Sequence, residues 1–140
     1  MADLIAPHGG LKTPVNRTVA ADSIEAFKKE VASLKALPVS DADLSSVYRI
    51  GDGGLSPLTG PMTKAVYDQV LKDANIDYNG KKYAWTIPIS LPVSKDLAGS
   101  IKTGERVKLV NGAGETVGAV NVKGMFTCAE AADIEGGPVE

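Results

Sequence analysis

Gly53-Gly54-Leu55-Ser56-Pro57-Leu58-Thr59-Gly60 sits between two kinds of sequence. It is a run of turn formers around two leucines, continued by Pro61 and Met62. Glycine and proline punctuate both helical and strand periodicity, so residues 51–60 read as a structured loop. Upstream, apolar residues recur at helical spacing: Ile24, Phe27, Val31 and Leu34 would share one face. Downstream, Tyr78-Asn79-Gly80-Lys81 is an Asn-Gly hairpin signal, and β-branched and aromatic residues dominate beyond it. Helices first and strands later predict an α+β fold, with a small, mostly antiparallel sheet or barrel decorated by N-terminal helices.

Finer expectations follow from caps and turns. Residues 1–20, broken by Pro7, Gly9, Gly10 and Pro14, read as extended and irregular. Asp22-x-x-Glu25 is a capping-box variant that would open the first helix, and Pro38 would end it. Leu37-Pro38-Val39 reads as a short strand. Ser40 is the expected N-cap of a helix turning Leu44, Val47 and Tyr48 inward, with Gly51 as its stop. Thr63 would cap a third helix carrying Val66, Tyr67, Val70 and Leu71. Tyr83 to Val93 reads as an edge or bulged strand, because Pro88 and Pro92 lack amide donors. A helical turn is expected over Asp96 to Ser100. Arg106–Val110 and Thr116–Val122 then form an antiparallel pair around Asn111-Gly112-Ala113-Gly114. Residues 1–125 would form one domain, and 126–140 an acidic tail or truncated linker; Cys128 to Glu140 holds four acids and no base.

Composition narrows the function classes. With 140 residues, 44% hydrophobic and 23% charged, the chain fits one globular domain. Its net charge is −2, with seven basic and eight acidic residues in 1–70 and eight and nine in 71–140. Nucleic-acid binding needs a concentrated positive footprint, so no nucleic-acid partner is expected. No apolar run approaches the ~18 residues of a membrane span, and the start does not read as a signal peptide. A cytoplasmic protein with no membrane partner is the expectation. One cysteine and one histidine, Cys128 and His8, cannot supply a zinc cluster, and no metal or cofactor is expected.

Motifs for nucleotide binding and nucleophilic chemistry are missing or incomplete. A phosphate-binding Gly-x-x-x-x-Gly-Lys-Ser/Thr run does not occur. The dinucleotide fingerprint fails because its third glycine falls on Ser56 from Gly51 and Gly53, and on Val117 from Gly112 and Gly114. Ser56 lacks the second glycine of a nucleophile elbow, and its only possible base is His8. Ser56 reads instead as a turn cap bonding nearby amides. His8 reads as a hydrogen-bonded side chain pinning the N-terminal segment, with a ligand-contacting or proton-shuttling imidazole as the alternative. Trp85 reads as core packing, with base stacking as its alternative.

Three stretches and a hairpin then carry a family resemblance. Leu4-Ile5-Ala6-Pro7-His8-Gly9-Gly10 resembles the opening motif of ATP sulfurylases, with Asn16-Arg17 following. Gly54-Leu55-Ser56-Pro57-Leu58-Thr59-Gly60 is similar to that family's Gly-aromatic-Ser-Pro-Leu-x-Gly signature. Trp85 to Leu91 resembles its Trp-x-Ile-Pro-Ile-x-Leu strand, and Gly104-Glu105-Arg106-Val107-Lys108-Leu109 the hairpin beyond. Leu55 replaces an aromatic and Pro61 a phenylalanine. The resemblance spans about Leu4 to Val122 and implies the N-terminal PUA-like domain of sulfate adenylyltransferase. That enzyme joins ATP and sulfate into adenosine 5′-phosphosulfate, using Gln-x-Arg-Asn-Pro and His-x-x-His motifs in a later domain. This chain holds neither, so the resemblance transfers no catalytic, cofactor or metal residue. It implies a structural set: Pro7, His8, Gly9, Gly10, Gly54, Ser56, Pro57, Leu58, Gly60 and Trp85. The expected role is a noncatalytic module that packs on a sulfurylase-type catalytic domain, in the same chain or in trans, or on a second copy. The alternative is a stand-alone PUA-like module for RNA or a small ligand.

Overall fold

Residues 5–127 are described in a computed structural model, and Cys128 to Glu140 lies outside them. A 3₁₀ turn, Ala21–Ser23, leads into α1, Ile24–Val31; β1, Ala36–Pro38, follows. Then come α2, Asp41–Asp52, and α3, Lys64–Asp73. The second half holds β2, Asn75–Tyr78; β3, Lys81–Ala84; α4, Lys95–Ser100; β4, Arg106–Val110; and β5, Thr116–Asn121. The strands make a three-stranded sheet ordered β1-β4-β5 and a separate β2-β3 ribbon. The β4–β5 and β2–β3 pairs are antiparallel, and β1 runs parallel to β4 with Leu37 opposite Leu109. The α+β class holds; hydrogen-bonded closure of these strands into a barrel is not formed among the described residues.

Local chemistry explains most boundaries. Ser40 Oγ accepts from the Asp43 amide at 3.1 Å, and Asp41 and Asp43 occupy the first turn of α2, where the helix dipole favours acids. That helix runs through Gly51 and ends at Gly53, whose φ of 86° supplies the left-handed cap. Asn79 and Gly80, with φ of 49° and 76°, make the hairpin turn between β2 and β3.

Other expectations need correction. Ser23, not Asp22, precedes α1, and the Asp22 carboxylate accepts from the Ser23 hydroxyl rather than capping the helix. α1 ends at Val31, so Leu34 and Pro38 lie beyond it. Thr63 stands at the N-cap of α3 without a side-chain cap bond. Residues 85–94 form no strand. Pro88 and Pro92 each lack a ladder donor, and neighbouring amides bond elsewhere, Trp85 N–H to the Ala74 carbonyl and Ile89 N–H to Met62 Sδ.

Two apolar clusters fill the interior. Leu37, Val39, Ile101, Val107 and Leu109 form one, against which Leu44 and Val47 of α2 pack. Tyr48, expected inward, is 50% exposed, because α2 docks through a narrower stripe than the spacing alone suggested; on α3, Leu71 is 63% exposed. Met62, Val70 and Ile76 form the second cluster, with Tyr83, Trp85 and Ile89 packed on it. No helix among the described residues is long and apolar enough to cross a membrane.

Glu105 closes the base of the β4–β5 hairpin. Its carboxylate accepts from the Lys102 amide at 2.9 Å and pairs with Lys35 Nζ at 3.1 Å. Those bonds, the Lys102 amide first, hold its acid below its ordinary value of 4.5. A carboxyl held low in the folded state favours folding above that value, and the contribution fades as the pH falls through the lowered one. Urea titrations of Glu105→Gln should therefore lose less stability than wild type between about pH 7 and about pH 3. Equal losses would contradict this assignment. Val107, with no exposed surface, should cost about 2–3 kcal/mol when cut to alanine, measured by urea unfolding.

Candidate functional site

Ser56 joins segments that lie far apart in sequence. It is 5% exposed. Its Oγ donates to the Gly53 carbonyl at 2.6 Å and accepts from the Val15 amide at 2.8 Å. A hydroxyl has one proton, so the first bond removes Ser56 as a donor to any base. The amide it serves belongs to the N-terminal segment, not to its own turn. The expected local cap is therefore a long-range clamp. The Arg17 amide adds a second tie, donating to the Gly51 carbonyl at 2.7 Å.

Gly9 and Gly53 allow these segments to touch. Gly9 is buried at φ 88°, and a Cβ there would stand 2.9 Å from the Pro57 ring. At Gly53 a Cβ would come within 2.7 Å of Pro14 Cβ. Both positions combine a left-handed backbone with a close approach, which only glycine meets without strain. Pro57 is buried, and the Ser56–Pro57 peptide is cis. Gly10 lies against the Tyr83 hydroxyl, Leu58 packs on the second cluster, and the Gly54 amide donates to Asp52 Oδ1 at 2.9 Å. Gly60 is half-buried with open space before its Cα.

His8 reaches across to β3. Its Nε2 lies 2.8 Å from the Ala84 carbonyl. A carbonyl only accepts, so Nε2 carries the proton. The ring stands edge-on to Tyr83 at 5.6 Å and tilted to Trp85 at 5.9 Å between centroids. Trp85 is half-buried, and its indole N–H donates to the Ile87 carbonyl at 2.7 Å. Met62 and Ile89 cross-link the same region, with the Met62 amide on the Ile89 carbonyl at 2.8 Å.

Three stretches that carry the family resemblance thus meet. They leave between them an open cleft of about 480 Å³, lined by His8, Leu55, Ala84, Trp85, Thr86, Ile87 and Ile89. Its walls are apolar, and His8 is the only titratable lining residue. Leu55, Ile87 and Ile89 carry no sign in the sequence that they line a cleft, although all three lie inside the family-like stretches. Among the described residues, no three of His, Cys, Asp or Glu cluster as a metal site.

A mixed fold with this glycine- and proline-built loop fits the family found for the chain. The chain belongs to the PUA-like domain family, whose model matches residues 5–136. It is 45% identical over 127 residues to a sulfate adenylyltransferase from Pyropia yezoensis, covering 91% of this chain and 29% of that protein. Over 131 residues it is 36% identical to the sulfate adenylyltransferase of Desulfovibrio desulfuricans, covering 94% and 30%. The chain therefore spans about 30% of the length of these relatives. Among solved structures, a hexameric APS kinase from Thiobacillus denitrificans superposes with a TM-score of 0.70 and 31% identity, over 84% of this chain and 23% of that one.

Ser56→Ala should lose about 1–3 kcal/mol of stability, because it leaves the Val15 amide without its side-chain acceptor. Urea unfolding with amide exchange at Val15 would measure both effects. An unchanged midpoint would show that the clamp carries no energy.

Proposed function

We propose that this chain is a noncatalytic module of the sulfate adenylyltransferase type, with residues 1–125 as its folded unit. Its role is to pack against a sulfurylase-type catalytic domain, in the same polypeptide or in trans. The observation that carries this reading is what the family-like stretches do. They engage one another, and they do not join the Ser56 hydroxyl to a base. Ser56 donates its only proton to the Gly53 carbonyl, and the His8 ring bonds Ala84, not Ser56. The one nucleophile and base pair that the sequence offers is therefore not assembled.

Adenylyl transfer from ATP to sulfate needs groups that orient the nucleophile and stabilise charge on the attacked phosphorus. The cleft offers one imidazole and apolar walls, which suit protein packing better than a polyanionic nucleotide. The alternative, an RNA-binding module, requires a basic face. Here the net charge is −2, and six of the fifteen Lys and Arg side chains, Lys28, Lys35, Lys64, Lys82, Arg49 and Arg106, pair with a carboxylate.

The purified chain, given ATP, sulfate and a divalent cation, should release no pyrophosphate above the protein-free rate. Formation of adenosine 5′-phosphosulfate by the chain alone would overturn the noncatalytic reading.

A further inference from the structure

We infer that the outer edge of β5 is a self-association surface, to which β5 of a second copy of this chain adds antiparallel about Val120. The inference goes beyond the packing role proposed above and does not depend on it. Hydrogen-bond direction along the strands fixes which backbone groups face outward. The Lys108 amide donates to the Lys35 carbonyl at 2.9 Å, and the Val110 carbonyl accepts from the Val39 amide at 2.8 Å, so alternate residues of β4 face β1. Val107 and Leu109 therefore face β5, opposite Val120 and Gly118. The Val122 amide, donating to the Glu105 carbonyl at 2.8 Å, continues that row. Alternation then turns the amides and carbonyls of Ala119 and Asn121 away from β4. β5 ends its sheet, and among the described residues no hydrogen bond reaches these outward groups.

Composition sets this edge apart from the others. Proteins blunt exposed strand edges with charge or proline. β1 ends on Pro38, β2 carries Asp77, and β3 carries Lys81 and Lys82. Thr116-Val117-Gly118-Ala119-Val120-Asn121 holds no charge and no proline. Pairing about Val120 sets Ala119 opposite Asn121 of the second copy, and the reverse, so the outward amides and carbonyls of both copies bond together. Val120, half-buried against the Val107 cluster, meets its own counterpart across the two-fold axis. Charge selects the direction and the occupant. Glu115 and Lys123 flank the strand, both exposed, and among the described residues neither forms an ion pair. An antiparallel second copy brings a lysine end to a glutamate end twice over, whereas a parallel one would set like charges together. Any extended strand could bond the backbone row, but a copy of β5 also matches both charged ends by symmetry.

Sedimentation equilibrium of the 140-residue chain over a concentration series, with amide exchange read at each concentration, tests this. The expected result is a monomer–dimer equilibrium. Exchange at Ala119 and Asn121 should slow as concentration rises, while Val120, facing β4, stays protected throughout. Ala119→Pro removes an outward amide that the β4 ladder does not use. It should weaken dimerisation at least about tenfold and leave the far-ultraviolet circular dichroism unchanged. Glu115→Lys should also weaken the dimer, and adding Lys123→Glu should restore it, a rescue that a local disturbance of the hairpin would not give. A monomer at every concentration up to about 1 mM would overturn the inference. So would a dimer in which Ala119 and Asn121 exchange at the monomer's rate, which would place the contact elsewhere. A double charge swap that restores nothing would overturn the antiparallel pairing of two copies. Should Ala119→Pro fail to fold, the concentration dependence of exchange in the unaltered chain decides between these outcomes.

Discussion

The Ser56 hydroxyl bridges the end of α2 to the N-terminal segment, and the rest of the cleft depends on that bridge. By accepting from Val15 and donating to Gly53, it holds the chain entering the domain against the loop that leaves α2. Beside it, Gly9 lies on Pro57 and His8 reaches Ala84. Extended segments have no ladder of their own, so their order comes from such tertiary bonds. Glycine at 9 and 53 removes the two Cβ atoms that would keep the segments apart.

This organisation separates two tasks within one small domain. The β1-β4-β5 sheet, with α2 against it, supplies a core around Val107 and Leu109. The β2-β3 ribbon and α3 supply a second, smaller core around Val70 and Ile76. The loop-built cleft lies on that second cluster, which Trp85 and Ile89 join from one side. A rigid scaffold presenting an irregular surface is a common arrangement for recognition, because loops can shape a face that a flat sheet cannot.

Much of the fold was legible in short-range chemistry. Asn79-Gly80 demanded a hairpin because both residues tolerate positive φ, and Ser40 before two acids demanded a helix start. The alternation of Arg106–Val110 buried Val107 and Leu109 as its period of two requires. Failures came where tertiary context decides. Asp22 bonds the adjacent Ser23 hydroxyl instead of a helix amide. Trp85 to Val93 has strand composition, yet its prolines and its contacts with α3 and the loop take precedence. The site was half legible. The resemblance named stretches that the fold brings together, but a one-dimensional pattern contains no sign that the Ser56 hydroxyl serves Val15 or that His8 bonds Ala84. Those bonds join residues 41 and 76 positions apart or more and exist only once the chain has folded.

The central claim is that the N-terminal segment, the loop and residues 85–89 form one preassembled unit. Native-state amide exchange measures this directly, at Val15, Met62 and Trp85, whose amides each donate across a junction between these stretches or to the end of α3. The account predicts that all three open together, with a common free energy. Exchange of Val15 at the rate of an unstructured peptide, with Met62 and Trp85 still protected, would contradict it.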